Sequence, residues 1–137
     1  MISIVIPTYN NLDYLKLCLK SLKKNSTFKH EIIIHINDGS DGTLNFVKSN
    51  NYKHTNSDIN IGLCSSINKA AKLVSNKYIL YSHDDMYFCP NWDKVLLDEV
   101  KSFNHDDFYA YSFFYFFLNN FIFYYWLWSS NGKIVAV

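Results

Sequence analysis

Tyr78-Ile79-Leu80-Tyr81-Ser82-His83-Asp84-Asp85-Met86 is the stretch from which the rest of the chain can be read. A short apolar run stops abruptly at His-Asp-Asp, and Pro90 and Trp92 follow. The run is β-prone and too short for a helix, which predicts a buried strand. In an open α/β sheet, ligands bind just beyond the carboxyl ends of the strands. Two adjacent carboxylates there repel one another, and a hard divalent cation such as Mg²⁺ or Mn²⁺ relieves that repulsion. Taken alone, the same residues also read as a solvated turn ahead of a helix.

Working outward, two more strands end in polar clusters. Ile2-Ser3-Ile4-Val5-Ile6 is a β-branched run closed by Pro7, which cannot continue a ladder. Thr8-Tyr9-Asn10-Asn11 then turns, with Asn10 or Asn11 expected to cap a helix over 12–22. That helix carries Leu12, Leu15, Cys18, Leu19 and Leu22 at helical spacing, and Lys23 and Lys24 suit its carboxyl end. Glu31-Ile32-Ile33-Ile34-His35-Ile36 reads as a strand buried on both faces. It runs into Asn37-Asp38-Gly39-Ser40-Asp41-Gly42-Thr43, a tight turn and helix start. A short strand is expected over 52–56, a turn at Asn60-Ile61-Gly62, and a helical stripe of Leu63, Ile67, Ala70, Ala71 and Val74. Pro90-Asn91-Trp92 opens a last helix with Val95, Leu96 and Val100 as its stripe. Strand–helix alternation of this kind implies a doubly wound α/β domain with parallel strands.

Composition narrows the ligand chemistry. The 137 residues suit one domain, and 49% are hydrophobic, so the chain is globular. The net charge is +1 with no basic stripe of interleaved aromatics, which speaks against nucleic acid. All 13 basic residues are lysine. A phosphate must then be met by metal, lysine or backbone N–H groups rather than by a bidentate guanidinium. Cys18, Cys64 and Cys89 form no metal-binding or disulfide pattern and suit a reducing, cytoplasmic compartment. The apolar start lacks a basic n-region and is a first strand rather than a signal segment.

From residue 108 the character changes. Residues 108–128 are overwhelmingly aromatic, interrupted by Ser112, Asn119 and Asn120. The length approaches the roughly 20 apolar residues a spanning helix needs. Strands packing on the sheet, an interfacial segment on the cytoplasmic face of a membrane, and a non-native continuation are the other readings.

The strand ends together resemble a known pattern. Ile4-Val5-Ile6-Pro7-Thr8-Tyr9-Asn10, Asn37-Asp38-Gly39-Ser40-Asp41-Gly42-Thr43, Asn60-Ile61-Gly62 with Asn68, and His83-Asp84-Asp85 with Pro90 follow in order. In that order they resemble the nucleotide-sugar-binding half of family 2 glycosyltransferases. The resemblance covers residues 1–105 and leaves 106–137 as an aromatic tail. It implies an α/β fold of the GT-A type, a Rossmann-like α/β/α sandwich with a mostly parallel central sheet. It further implies a nucleotide-sugar donor, most often UDP-linked, a divalent cation (Mn²⁺ or Mg²⁺), and a glycan, lipid or protein acceptor.

Residue by residue, the resemblance puts Pro7, Thr8 and Tyr9 beside the base, with Tyr9 stacking on it. Asp38 takes the place of the acceptor for the uracil ring, and Asn60 and Gly62 that of the conserved turn. Asp84 and Asp85 match the acidic metal motif, with Asp85 the direct ligand and Asp84 facing the ribose or the metal's water shell. Stacking of this kind is worth about 1–3 kcal/mol per base. Tyr9 also reads as plain sheet packing and Asp38 as a plain turn cap.

Four departures stand out. Asn37 replaces the first residue of the usual acidic pair. Ser65, Ser66 and Ile67 stand where a basic residue is common. His83 replaces the first acid of the metal motif. No residue matches the acceptor-side general base, for which Asp106 or Asp107 serves only by default. A donor-binding domain without transfer, associated through its aromatic tail with a membrane or a protein partner, is therefore the alternative to a complete transferase.

Overall fold

The computed structural model describes residues 1–102, 109–114 and 124–129. Strands β1 (Ile2–Tyr9), β2 (Glu31–Asn37), β3 (Lys53–Ser57) and β4 (Tyr78–Tyr81) alternate with helices α1 (Leu12–Asn25), α2 (Thr43–Ser49), α3 (Leu63–Ala71) and α4 (Trp92–Ser102). Two further strands, β5 (Tyr109–Phe114) and β6 (Tyr124–Ser129), complete a six-stranded sheet in the order β3-β2-β1-β4-β6-β5. β1 pairs in parallel with β2 and β4, and β2 with β3; β6 joins β4 and β5 antiparallel. The expected α/β/α sandwich with a mostly parallel sheet is what forms.

Strand alternation sorts the core into two layers. Ile2, Ile4, Ile6, Ile34, Ile36 and Leu80 face Leu15, Cys18, Leu19 and Leu22 of α1, Val47 of α2 and Leu96 of α4. Val5 and Ile33 face Ile67 and Ala70 of α3 on the other side. The β-branched runs of β1 and β2 are apolar at consecutive positions because both faces are covered.

Some local expectations are corrected. Neither Asn10 nor Asn11 caps α1 with its side chain; the Leu12 N–H is taken by the Asp41 carboxylate at 2.9 Å. Val95 is 43% exposed and Leu63 47%, so neither belongs to its helix's buried stripe. Residues 109–114 and 124–129 are paired strands, which replaces a continuous spanning helix over 108–128. No helix among the described residues is long and apolar enough to cross a membrane. Asp106 and Asp107 lie outside the described residues.

The amino ends of the strands are tied by Glu31. Its carboxylate accepts from Lys53 Nζ at 2.8 Å, from the Ser75 N–H at 3.0 Å, and from the Ser3 hydroxyl. Partial burial would raise this carboxyl, but those donors win and hold it down to about 2.

A second tie anchors α4 to the start of β2. Asp93, fully buried, accepts from the Thr27 N–H at 2.9 Å, the Phe28 N–H at 2.7 Å and His30 Nε2 at 2.9 Å. His30 Nδ1 in turn accepts from the Ile2 N–H at 3.3 Å, which fixes the tautomer. Burial opposes the Asp93 charge, yet the two amides and His30 hold its pKa below the ordinary 3.8. A depressed carboxylate adds stability above its unfolded pKa and loses it as the pH falls through the lower native one. Asp93→Ala strands two buried amides and an imidazole, and should cost about 3–5 kcal/mol in urea unfolding at neutral pH. The wild-type advantage should shrink below pH 3.8. An equal gap at all pH values would contradict this assignment.

Candidate functional site

β1 lies between β2 and β4, which the chain reaches over opposite faces of the sheet, through α1 and α3 respectively. This is the switch point where doubly wound sheets open a ligand crevice. The strands stop at different heights. Tyr9 pairs with Asn37 at the far end of β1, whereas β4 ends with Tyr81 opposite Val5. Ser82 continues alongside, its N–H donating to the Val5 carbonyl at 3.0 Å. Two residues on, Asp84 Oδ2 accepts a 2.6 Å hydrogen bond from the Thr8 hydroxyl. Thr8 and Asp84, 76 positions apart in sequence, are thus joined directly.

The ends of β1 and β2 are equally ordered. Tyr9 is 52% exposed at the strand end, free to present its ring. Asp38 sits in the left-handed region at φ 61° and accepts from Asn10 Nδ2 at 2.8 Å and the Ser40 hydroxyl at 3.1 Å. Asn10 Oδ1 accepts the Gly39 N–H at 3.0 Å, so one asparagine braces the whole turn. Gly39 is required here: at φ 79° a Cβ would lie 2.8 Å from Ile36 Cγ2. The Asn60 side chain accepts the Gly62 N–H at 2.9 Å, and Gly62, φ 80°, leads into α3. Pro7 is buried within β1.

Asp85 is exposed and Asp84 half-buried. Their charge is felt by neighbours: burial first, then Asp84 and Asp85, pushes the Cys18 thiol up to about 12. The Tyr81 phenol is raised in the same way, by burial and then by the same two carboxylates. His83 turns to Tyr81, with Nε2 2.8 Å from the phenol oxygen. Among the described residues no group of three or more His, Cys, Asp or Glu side chains gathers around one point. Two hard carboxylate oxygen donors with open neighbouring space nonetheless fit Mg²⁺ or Mn²⁺. Such ions are commonly held by one or two carboxylates together with substrate phosphates and water.

Residues 3–133 match the family described as "Glycosyl transferase family 2". The chain belongs to that family. An "Uncharacterized glycosyltransferase" of Rickettsia bellii (strain RML369-C) is 32% identical over 99 residues, covering 66% of this chain and 14% of the relative. The crystal structure of S. aureus TarS 1-349 in complex with UDP superposes with a TM-score of 0.66 at 25% identity, covering 74% of this chain and 32% of that one. A mannosyltransferase, PcManGT from Pyrobaculum calidifontis, in complex with GDP-Man and Mn²⁺, shares the fold at a TM-score of 0.66 and 17% identity. It is covered to 34%, with 80% of this chain matched. The chain therefore spans about a seventh of the curated relative and about a third of the solved family structures.

Sequence reading missed Asn10, Asn37 and Ser66, whose roles are side-chain contacts between distant segments. The signal available for Asn10 was its place in the Tyr-Asn turn; nothing local marked Ser66.

The thiols give a direct check of this electrostatic picture. Thiolates, not thiols, react with disulfide reagents. In native protein near pH 8, exposed Cys64 and Cys89 should react while buried Cys18 does not, and denaturation should release the third equivalent. Rapid reaction of all three in the native state would overturn the burial assigned to Cys18.

Proposed function

We propose that the chain binds a nucleotide-sugar donor, UDP-linked, in the crevice at the carboxyl ends of β1, β2 and β4. In this reading it serves sugar transfer to a glycan, lipid or protein acceptor. The observation that carries the reading is the Thr8–Asp84 hydrogen bond, which brings the base-side strand end and the acidic pair into one crevice. Tyr9 offers an aromatic platform for the pyrimidine, and Asp38 a carboxylate acceptor for a ring N–H. Pro7 shapes the floor, and the Asn60–Gly62 turn borders the diphosphate. Asp85 and Asp84 would hold a divalent cation, Mn²⁺ or Mg²⁺. When bound, such an ion neutralises charge developing on the departing nucleoside diphosphate. Residues 1–105 form the donor half. Residues 106–137 remain for the acceptor, or for a membrane or protein partner on the cytoplasmic side. The complexes of TarS with UDP and with UDP-GlcNAc support a uridine donor.

One observation favours the alternative, donor binding without transfer. A general base must be accessible to the acceptor hydroxyl. Asp93 is committed to His30 and two amides, Asp98 pairs with Lys101 at 3.4 Å, and Glu99, on the same helix, stands in no motif resembling the acceptor-side base. Asp106 and Asp107 then carry that role by default. Donor hydrolysis and transfer assays separate the two readings: bound UDP-sugar that stays intact with every acceptor tried supports the donor-binding module.

Titration calorimetry tests the shared premise. UDP should bind with Mn²⁺ or Mg²⁺ present, and Asp85→Ala should abolish the metal-dependent part while leaving the melting temperature nearly unchanged. Thr8→Val should weaken binding by about 1–3 kcal/mol, the cost of a lost hydrogen bond to a charged group. No heat from UDP with metal present would sink the proposal.

A further inference from the structure

Asn37, only 4% exposed, ends β2 at a place where four elements meet. Its Nδ2 donates to the Thr8 carbonyl at 3.3 Å and to the Ser66 hydroxyl of α3 at 3.0 Å. Its Oδ1 accepts from the Ile61 N–H at 3.0 Å and lies 3.3 Å from the Ser57 hydroxyl of β3. A carbonyl can only accept and an amide N–H can only donate, so Thr8 and Ile61 together fix which way the side chain points. An aspartate could still accept from Ile61 but would set an oxygen against the Thr8 carbonyl. The layer beneath is ordered too. His35, fully buried, meets the Thr55 hydroxyl at 2.7 Å through Nδ1 and the Ser57 hydroxyl at 3.3 Å through Nε2.

These bonds form one path across the crevice. The Ile61 N–H bonds to Asn37, Asn37 to the Thr8 carbonyl, and the Thr8 hydroxyl to Asp84. The turn that Asn37 holds is otherwise open to solvent: Ile59 is 70% exposed and Asn60 is exposed. Its other ties are short-range, from the Ser57 hydroxyl to the Ile59 carbonyl and from the Gly62 N–H to the Asn60 side chain. Two groups of the turn reach the buried layer, the Ile61 N–H through Asn37 and the Gly62 carbonyl, which accepts from the Ser66 hydroxyl at 2.6 Å.

We propose that Asn37 is the positioning residue of the donor site. Its amide sets Thr8, and through Thr8 the Asp84 carboxylate, while holding the Asn60-Ile61-Gly62 turn level with them. The inference rests on the donor-site reading above and extends it to a side chain that touches no ligand. The departure from an acidic pair at this position is then functional: the junction needs a donor and an acceptor in one side chain.

Two variants separate the two arms. Asn37→Ala loses both, and should bind UDP with Mn²⁺ roughly 10–100-fold more weakly, the range for residues that orient metal ligands. Its Ile61 amide should also exchange faster with solvent. Asn37→Asp keeps the acceptor for Ile61, so that amide should stay protected while the gain in UDP affinity on adding Mn²⁺ falls. A purely structural role would lower the melting temperature of both variants and leave that gain as in wild type, which overturns the proposal. If Asn37→Ala does not fold, Ser66→Ala removes one partner of the junction; a several-fold loss of UDP–Mn²⁺ affinity supports the proposal, and wild-type affinity overturns it. Absence of UDP binding by the wild type is a different failure, that of the donor reading. Ile61 exchange in Asn37→Ala then still decides the junction: faster exchange upholds it, unchanged exchange removes it.

Discussion

The ligand end of the molecule depends on one constraint, the return of the chain to β1 after β3. β2 and β3 step outward along one edge, with α1 and α2 packed on one face. α3 then crosses the opposite face and delivers β4 to the free edge of β1. Once that crossing is made, β1 ends between two strands reached over opposite faces of the sheet, the arrangement that opens a crevice in doubly wound folds without any special loop. Because β4 stops opposite Val5 while β1 runs on to Tyr9, the residues after β4 travel beside β1. That offset is why Asp84 arrives next to Thr8.

The two ends of the sheet treat charge differently. At the amino end Glu31 is surrounded by donors from β1, β3 and the turn before β4, and its ion pair with Lys53 spans 2.8 Å. The charge there is used up in holding strands together. At the carboxyl end, Asp38 and Asp84 are braced by neutral partners, Asn10, Ser40 and Thr8. Neutral donors orient a carboxylate without cancelling its charge. One end is a closed clamp, and the other keeps negative charge on display.

How much of this was legible follows from how local each cause is. The strands β1, β2 and β4 announce themselves because burial on both faces demands unbroken apolar runs. The turns at Asp38 and Gly62 are legible because left-handed backbone selects Asn, Asp and Gly. β3 is the least legible strand, expected over 52–56 and formed by Lys53–Ser57, because Lys-His-Thr-Asn-Ser is polar throughout. Val95 falls outside the stripe because the inward face of α4 is carried by Trp92, Asp93, Leu96, Leu97 and Val100, one of them a buried carboxylate that an apolar count passes over. The His30–Asp93 pair spans 63 positions and Asn37–Ser66 spans 29, distances at which no periodicity carries a signal. Asn37 was visible as an anomaly, a missing carboxylate, and its meaning came only from the four elements that converge on it.

The lack of arginine ties these observations together. Here every basic residue is lysine, whose single hydrated charge cannot grip a phosphate bidentately. Burial first, and then the charge of Asp84 and Asp85, raises the neighbouring Cys18 and Tyr81 groups. A cation placed at the acidic pair would relieve the Asp84–Asp85 repulsion and attract the phosphates at once. Asn37 keeps its buried junction neutral, where a carboxylate would set an oxygen against the Thr8 carbonyl. An acidic rim over an uncharged, fully bonded floor is therefore one arrangement, in which the charge is left only where a cation could use it.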